Sequence, residues 1–355
     1  MADRRKYQNM RIASLPRLLS IVTLGVLAAG CHREKPVLHV YNWADYIKPE
    51  LVQRFEKEHG CRVVVDTFDS NEAMYAKLKA GAAGYDLIYP SAYMMDIMQQ
   101  QGMLQPLDHR LLPNLANLDP EWHAFIKDTA YTQSVPYMIS YTGLGWRKSK
   151  LPDFTPSWRV FERADLKNRM TMLNDMRETI GAGLKTLGYS MNSTDDAQLA
   201  AARDLVIKWK HNLAKFENEQ YKSGIASGEF TVVQGYSGDV MQVIGENADV
   251  AFAVPVEGAS VACDVMAIPK DAKQVALAHA FINFLHEPKV AAENMEFTCY
   301  LCPNRAAYPL LPPAVRNNPN IFLPPAVKAK SETIWDLGPN QAKYIKIWDA
   351  IKAAE

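Results

Sequence analysis

Apolar residues in this chain alternate between two rhythms. Short unbroken runs, VLHVY (37–41), CRVVVDTF (61–68) and YDLIYP (85–90), read as buried strands. Each is followed by a stretch whose apolar positions recur at helical spacing. After the first comes PELVQRFEKEHG, with Leu51, Val52 and Phe55 on one face, Pro49 suited to a first helical turn and Gly60 placed to end it. The second leads to a predicted helix over 71–80, carrying Met74 and Leu78 and closed by Gly81; the third leads to one over 92–101, stopped by Gly102. Beyond residue 142 come the apolar pieces TGLGW and MTML and predicted helices over 176–187 and 195–212. A strand FTVVQG (230–235) then opens onto a helix at Gly238 and Asp239. Strands alternating with amphipathic helices predict an α/β fold with mainly parallel sheets. The Pro-rich stretch 310–327 reads as a connection with little regular structure.

That alternation also places the chemistry. In open α/β sheets, ligands bind where the carboxyl ends of strands turn into helices. The first three turns read NWADY (42–46), DSNE (69–72) and PSAY (90–93). Further on, MTML opens onto Asn174 and Asp175, with Glu178 one turn later, and FTVVQG opens onto YSGD. None of these is the glycine-rich loop that cradles phosphate, so no nucleotide cofactor is expected. Carboxylates beside aromatic faces suit a cation, which gains from charge-assisted hydrogen bonds and from ring quadrupoles. The plainer assignment gives the same residues structural work. Trp43 and Tyr93 would then be core aromatics, Asp45 and Ser70 helix caps, and Asp175 with Glu178 a capping box worth about 1 kcal/mol.

Composition narrows the class. The 355 residues carry 39 Lys plus Arg against 39 Asp plus Glu, with 48% hydrophobic and 22% charged, a globular balance without the basic surplus that nucleic acid asks for. The neutrality belongs to a precursor. Arg4, Arg5, Lys6, Arg11 and Arg17 precede the uncharged run LLSIVTLGVLAA (18–29), the anatomy of a signal peptide and too short for a membrane span. Its end, LAAGC, resembles the bacterial lipobox, which implies cleavage before Cys31 and lipid on that thiol. Residues 1–30 hold five basic side chains and one acidic, so the mature chain keeps 34 basic against 38 acidic, a formal net charge of −4. No later uncharged apolar run approaches the roughly 20 residues of a span. Lipid is therefore the only anchor expected.

Four other cysteines remain, Cys61, Cys263, Cys299 and Cys302. The pair in CYLC has C-x-x-C spacing, but there is no second such pair and the eight histidines show no close ligand spacing, so no metal site is assigned. One or two structural disulfides, or free buried thiols, are the options in an oxidising compartment. GYSG lacks the spacing of a nucleophile elbow. No catalytic residue is assigned, and an enzyme is not expected.

The stretches YNWADYI, FDSNEAMYAKLKAG, YDLIYPSAYMMDIM, NDMRETIGAGLKTLGYSMNSTD, GYSGDVMQV and EGASVACDVMAIP resemble, in order, the periplasmic spermidine/putrescine-binding proteins of bacterial ABC importers. The resemblance runs from about Leu38 to the C-terminus and is weakest after Pro309. It implies the type II periplasmic binding protein fold: two α/β lobes, each a mixed, mainly parallel sheet flanked by helices, with a polyamine clamped between them. After a tether at 31–36, lobe 1 would comprise 37–141 plus 262–308, and lobe 2 would comprise 142–261 plus 309–355. The family's site implies aromatic walls from Trp43, Tyr46 and Tyr93, a hydroxyl from Ser91, and ammonium anchors at Asp45, Asp175, Glu178, Asp239 and Asp264. Tyr236 stands where the family usually has tryptophan, and Tyr300 where it usually has tyrosine. Implied partners are a polyamine and the ABC permease subunits of the inner membrane, served by a monomeric, lipid-anchored periplasmic protein. A sensor that reports the amine to a membrane receptor would use the same cleft. Ala262 departs from the family pattern, which typically places a large aromatic there. Asp239 keeps a position that in this family favours short diamines, which tilts the expectation toward putrescine.

Overall fold

The three apolar runs of the first half become β1 (Val37–Trp43), β2 (Arg62–Phe68) and β3 (Leu87–Ile88), with β1 in the middle and parallel to both neighbours. The computed structural model describes residues 35–81 and 84–354. The predicted leader, Cys31 and most of the tether lie outside the described residues. Helices α1 (Pro49–His59), α2 (Asn71–Lys79) and α3 (Ala92–Gln100) follow the three strands. Their punctuation is local. Pro49 opens α1, Gly60 closes it at φ 60°, and the Ser70 side chain caps α2 by accepting from the Ala73 N–H. β3 is shorter than its apolar run because Pro90 has no N–H to extend a ladder; its carbonyl accepts the Val265 N–H instead.

β4 (Ser134–Arg147) joins the two halves. It is buried from Ser134 to Gly145 and extends well upstream of the TGLGW piece. Its fourteen residues reach about 45 Å at roughly 3.3 Å each. The second half adds β5 (Met170–Met172), α4 (Met176–Thr186), α5 (Asp196–Lys210), β6 (Lys215–Phe216), α6 (Gln220–Ser227), β7 (Val232–Tyr236), α7 (Ser237–Glu246) and β8 (Val250–Ala253). β9 (Val261–Ala267) then returns to the first half, followed by α8 (Val275–Leu285) and α9 (Pro288–Thr298). The strand order is β2-β1-β3-β9-β4-β7-β5-β6, with β8 also paired to β4. Residues 134–141 of β4 run antiparallel to β9; at Thr142 the strand changes partner to β7, and from Leu144 it also pairs with β8. The sheet is therefore mixed, parallel toward its ends and antiparallel through the middle.

Separate hydrophobic cores form on the two sides of that change of partner. Leu38, Val40, Leu87, Ile139, Val265 and Phe281 belong to one; Leu144, Trp158, Met170, Ile180, Val206 and Trp209 belong to another, with a smaller cluster around Tyr221, Phe230 and Val240. The tail divides between them. Leu311, Ile321 and Ile334 pack on the first, and Tyr344 and Ile351 of the last helix (Gln341–Ala353) on the second. The Pro-rich stretch contributes only short helical turns, Pro313–Arg316 and Pro325–Lys328. Cys61, Cys263, Cys299 and Cys302 are free thiols, all but Cys299 buried. Among the described residues no helix is long and apolar enough to cross a membrane.

Candidate functional site

A cavity of about 80 Å³ opens where the carboxyl ends of β1, β5 and β7 meet β9, space for a handful of waters at about 10–15 Å³ each. Ten of the eleven residues singled out from sequence line it: Trp43, Tyr46, Ser91, Tyr93, Asp175, Glu178, Tyr236, Asp239, Asp264 and Tyr300. They come from both halves of the molecule and form three carboxylate centres.

The first centre is Asp264 on β9. One oxygen accepts from the Ser91 hydroxyl at 2.6 Å and the other from the Tyr46 hydroxyl at 2.7 Å. Ser91 is placed by a lone antiparallel bridge to Asp264 and by Asn71, whose amide donates to the hydroxyl and whose carbonyl accepts the Ser91 N–H. Among the described residues the Asp264 side chain bonds neutral hydroxyls alone, and burial pushes the carboxyl up to about 6.

The second centre starts α4. Asp175 caps the helix, accepting the N–H groups of Arg177 and Glu178 at 2.8 and 3.0 Å, so the cap and the cavity wall are one residue. Glu178 does not close a capping box. Its carboxylate turns instead to the hydroxyls of Ser260, at 2.7 Å, and Thr142, at 3.0 Å, because β4 and the approach to β9 run beside it. Burial, and then the neighbouring Asp175 charge, push Glu178 up to about 8. Arg177 is buried nearby, but its guanidinium donates to the Trp335 carbonyl and the Asn192 side chain, not to a carboxylate.

The third centre starts α7. Asp239 accepts from the Tyr300 hydroxyl at 3.0 Å and from the Tyr221 hydroxyl, while its own N–H donates to the Tyr300 oxygen at 3.4 Å. Tyr300 thus reaches from one core to cap a helix of the other. Gly238 makes room for it: a Cβ there would lie 2.3 Å from the Tyr300 ring. Burial raises the Asp239 carboxyl, and the positive charge of Lys222 opposes the rise. Aromatic rings fill the space between centres. Tyr46 packs edge-on against Tyr300 with centroids 4.9 Å apart, and Trp43 packs on Phe68 at 4.3 Å while donating its indole N–H to the Tyr89 carbonyl.

Asp45 stands apart from the other ten. It adopts a left-handed backbone, φ 54°, so its exposed carboxylate meets Lys222 at 2.7 Å outside the cavity lining. It caps no helix either, since α1 begins after Lys48. Ala262 lines the cavity opposite Ser140 and brings no ring to that wall.

Residues 50–323 match the family model described as bacterial extracellular solute-binding protein. The chain belongs to this family. It is 36% identical over 358 residues to the putrescine-binding periplasmic protein of Escherichia coli strain K12, covering 95% of this chain and 96% of that one. The solved spermidine/putrescine ABC transporter substrate-binding protein of Streptococcus pneumoniae matches with TM-score 0.77 at 32% identity, over 90% of this chain and 99% of that one. A lipoprotein of Treponema pallidum matches with TM-score 0.78 at 33% identity, over 89% and 99%. The architecture is that of the type II periplasmic binding proteins, and solute-binding proteins of this family serve transport and are not enzymes.

Several cavity residues of this solute-binding protein were not among those singled out from sequence. Phe68 ends β2 and Asn71 lies inside the DSNE turn, so both were within reach of local reasoning; Asn218, Glu219 and Lys222 lie before and on α6, and Thr333 and Ile334 arrive from the tail. Only the folded chain brings those five to the cleft.

Proposed function

We propose that this solute-binding protein captures a short polyamine, a diamine of the putrescine class, outside the cytoplasm and delivers it to the permease of an ABC importer. One observation carries the reading: Asp175, Glu178, Asp239 and Asp264 converge from both cores on one aromatic-walled cavity, and burial holds all four above the ordinary carboxyl range. A diammonium ligand supplies the missing positive charge through charge-assisted hydrogen bonds, while its methylenes lie along the rings of Trp43, Tyr46 and Tyr236. The named relatives in Escherichia coli and Streptococcus pneumoniae support the class of ligand. In this reading 37–141 with 262–308 and 142–261 with the last helix are the two lobes, hinged on β4 and β9, while the stretch carrying Leu311, Ile321 and Ile334, expected from sequence in the second lobe, packs on the first core. The bonds from Tyr300 to Asp239 and from Asn218 to the Asp69 carbonyl then belong to the closed form, in which both lobes touch the ligand.

Calorimetric titration of the mature protein with putrescine, cadaverine, spermidine, spermine and agmatine tests the proposal. A diamine should bind with a Kd of about micromolar or below. If no amine binds more tightly than about millimolar while a non-amine solute does, the reading is wrong. Attachment to the membrane through lipid on Cys31 is part of the same proposal, supported by LAAGC and by the Treponema pallidum relative being a lipoprotein. Cys31→Ser should release the protein from the membrane fraction; unchanged membrane association would refute lipid anchoring at that residue.

A further inference from the structure

Among the described residues two cationic side chains line the cleft: Arg177, whose guanidinium is bonded to the Trp335 carbonyl and Asn192, and Lys222, its one ammonium. Lys222 projects from α6, in the second lobe, and is half-buried, with 19% of its side chain exposed. Its Nζ binds the Asp45 carboxylate of the opposite lobe at 2.7 Å, and its charge acts on both Asp239 and Glu219. The Asp239 end of the cleft therefore already holds a cation. The Asp264 end does not, since among the described residues that carboxylate bonds only the Ser91 and Tyr46 hydroxyls. A chain of contacts links the two ends: Tyr46 on Asp264, Tyr300 edge-on to Tyr46, and Asp239 bonded to Tyr300.

We propose that Lys222 is a specificity-determining residue, a resident ammonium that occupies one cation position of the cleft and so restricts the ligand to amines with one positive centre fewer than the carboxylates alone would accept. The proposal rests on the polyamine reading above. A diamine pairs with the carboxylates that have no resident ammonium beside them. A triamine must bring its third ammonium up to Lys222, where like charges repel in a partly desolvated site and Asp45 is already paired. Removing the Lys222 charge reverses the balance: Asp239 becomes free to take the ligand's own third ammonium.

The test is calorimetry of the full mature protein and its Lys222→Met, Lys222→Gln and Lys222→Arg variants with putrescine and with spermidine. In Lys222→Met and Lys222→Gln the ratio of spermidine to putrescine affinity should rise by about tenfold or more, the size of one charge pair in a partly desolvated site. Lys222→Arg should keep the wild-type ratio. An unchanged ratio in both neutral variants overturns the proposal. So does an equal loss for both amines, which would make Lys222 a latch that only holds the lobes together. If the wild type binds neither amine, the polyamine reading itself falls and takes this inference with it, an outcome distinct from wild-type binding with an unmoved ratio.

Discussion

Asp264 and Asp239 are the same residue type and sit at opposite ends of one aromatic bridge. Each accepts two hydroxyl donors, Ser91 and Tyr46 for the first, Tyr300 and Tyr221 for the second. They differ in the charge nearby. Lys222 offsets Asp239, whereas Asp264 faces only neutral dipoles and is pushed up to about 6 by burial. Hydrogen bonds satisfy an anion's geometry, but only a cation removes the cost of its buried charge. The comparison teaches that a binding cleft is read from its unbalanced carboxylates more than from its carboxylate count.

The largest expected effect comes from truncating the unbalanced end. Asp264→Ala should weaken amine binding by about 2–5 kcal/mol, the cost of removing one partner of a buried charge pair. Asp239→Asn should cost less, about 1–2 kcal/mol, because the nearby Lys222 charge already offsets that carboxylate. Calorimetry on both variants checks the order, and equal losses would break the comparison between the two ends.

A second measurement follows stability against pH. In the ligand-free fold Asp264 is raised to about 6 and Glu178 to about 8, both above the roughly 4 of an unfolded carboxyl. The folded state therefore binds more protons than the unfolded one across that interval. These groups' contribution is fully present below about pH 4 and is lost as pH rises, through about 6 for Asp264 and about 8 for Glu178. Melting of the ligand-free protein should shift down between about pH 5 and about pH 9, while the increase in Tm that putrescine gives should grow. Glu178→Gln should flatten the upper part of that slope. A ligand effect that shrinks as pH rises would contradict the picture.

The smallest expected effect belongs to Asp45. Its carboxylate is exposed, so Asp45→Ala should change stability by under about 1 kcal/mol, as exposed ion pairs do. A loss of several kcal/mol in chemical denaturation would mean that this contact holds the fold itself.

Much of this was legible residue by residue, because strand ends and helix starts are local events. The turn after MTML predicted a carboxylate at a helix start, and Asp175 is both cap and cavity wall. Local reasoning failed where direction depends on backbone conformation or on distant chain. The left-handed φ at Asp45 turns its side chain outward, and nothing in NWADY announces it. Glu178 matched a capping box in sequence, yet Ser260 and Thr142 claim its carboxylate.

By itself the sequence determined the alternation of strands and helices, the stop at Gly60 and the start at Ser70, and the residue types waiting at the strand ends, since each depends on neighbours within a turn or two. Tertiary structure decided the electrostatics. Lys222 lies 177 residues from Asp45 and Tyr300 lies 61 from Asp239, and the energy of a charge is set by whatever the fold places within a few ångströms of it and by how much water the fold removes.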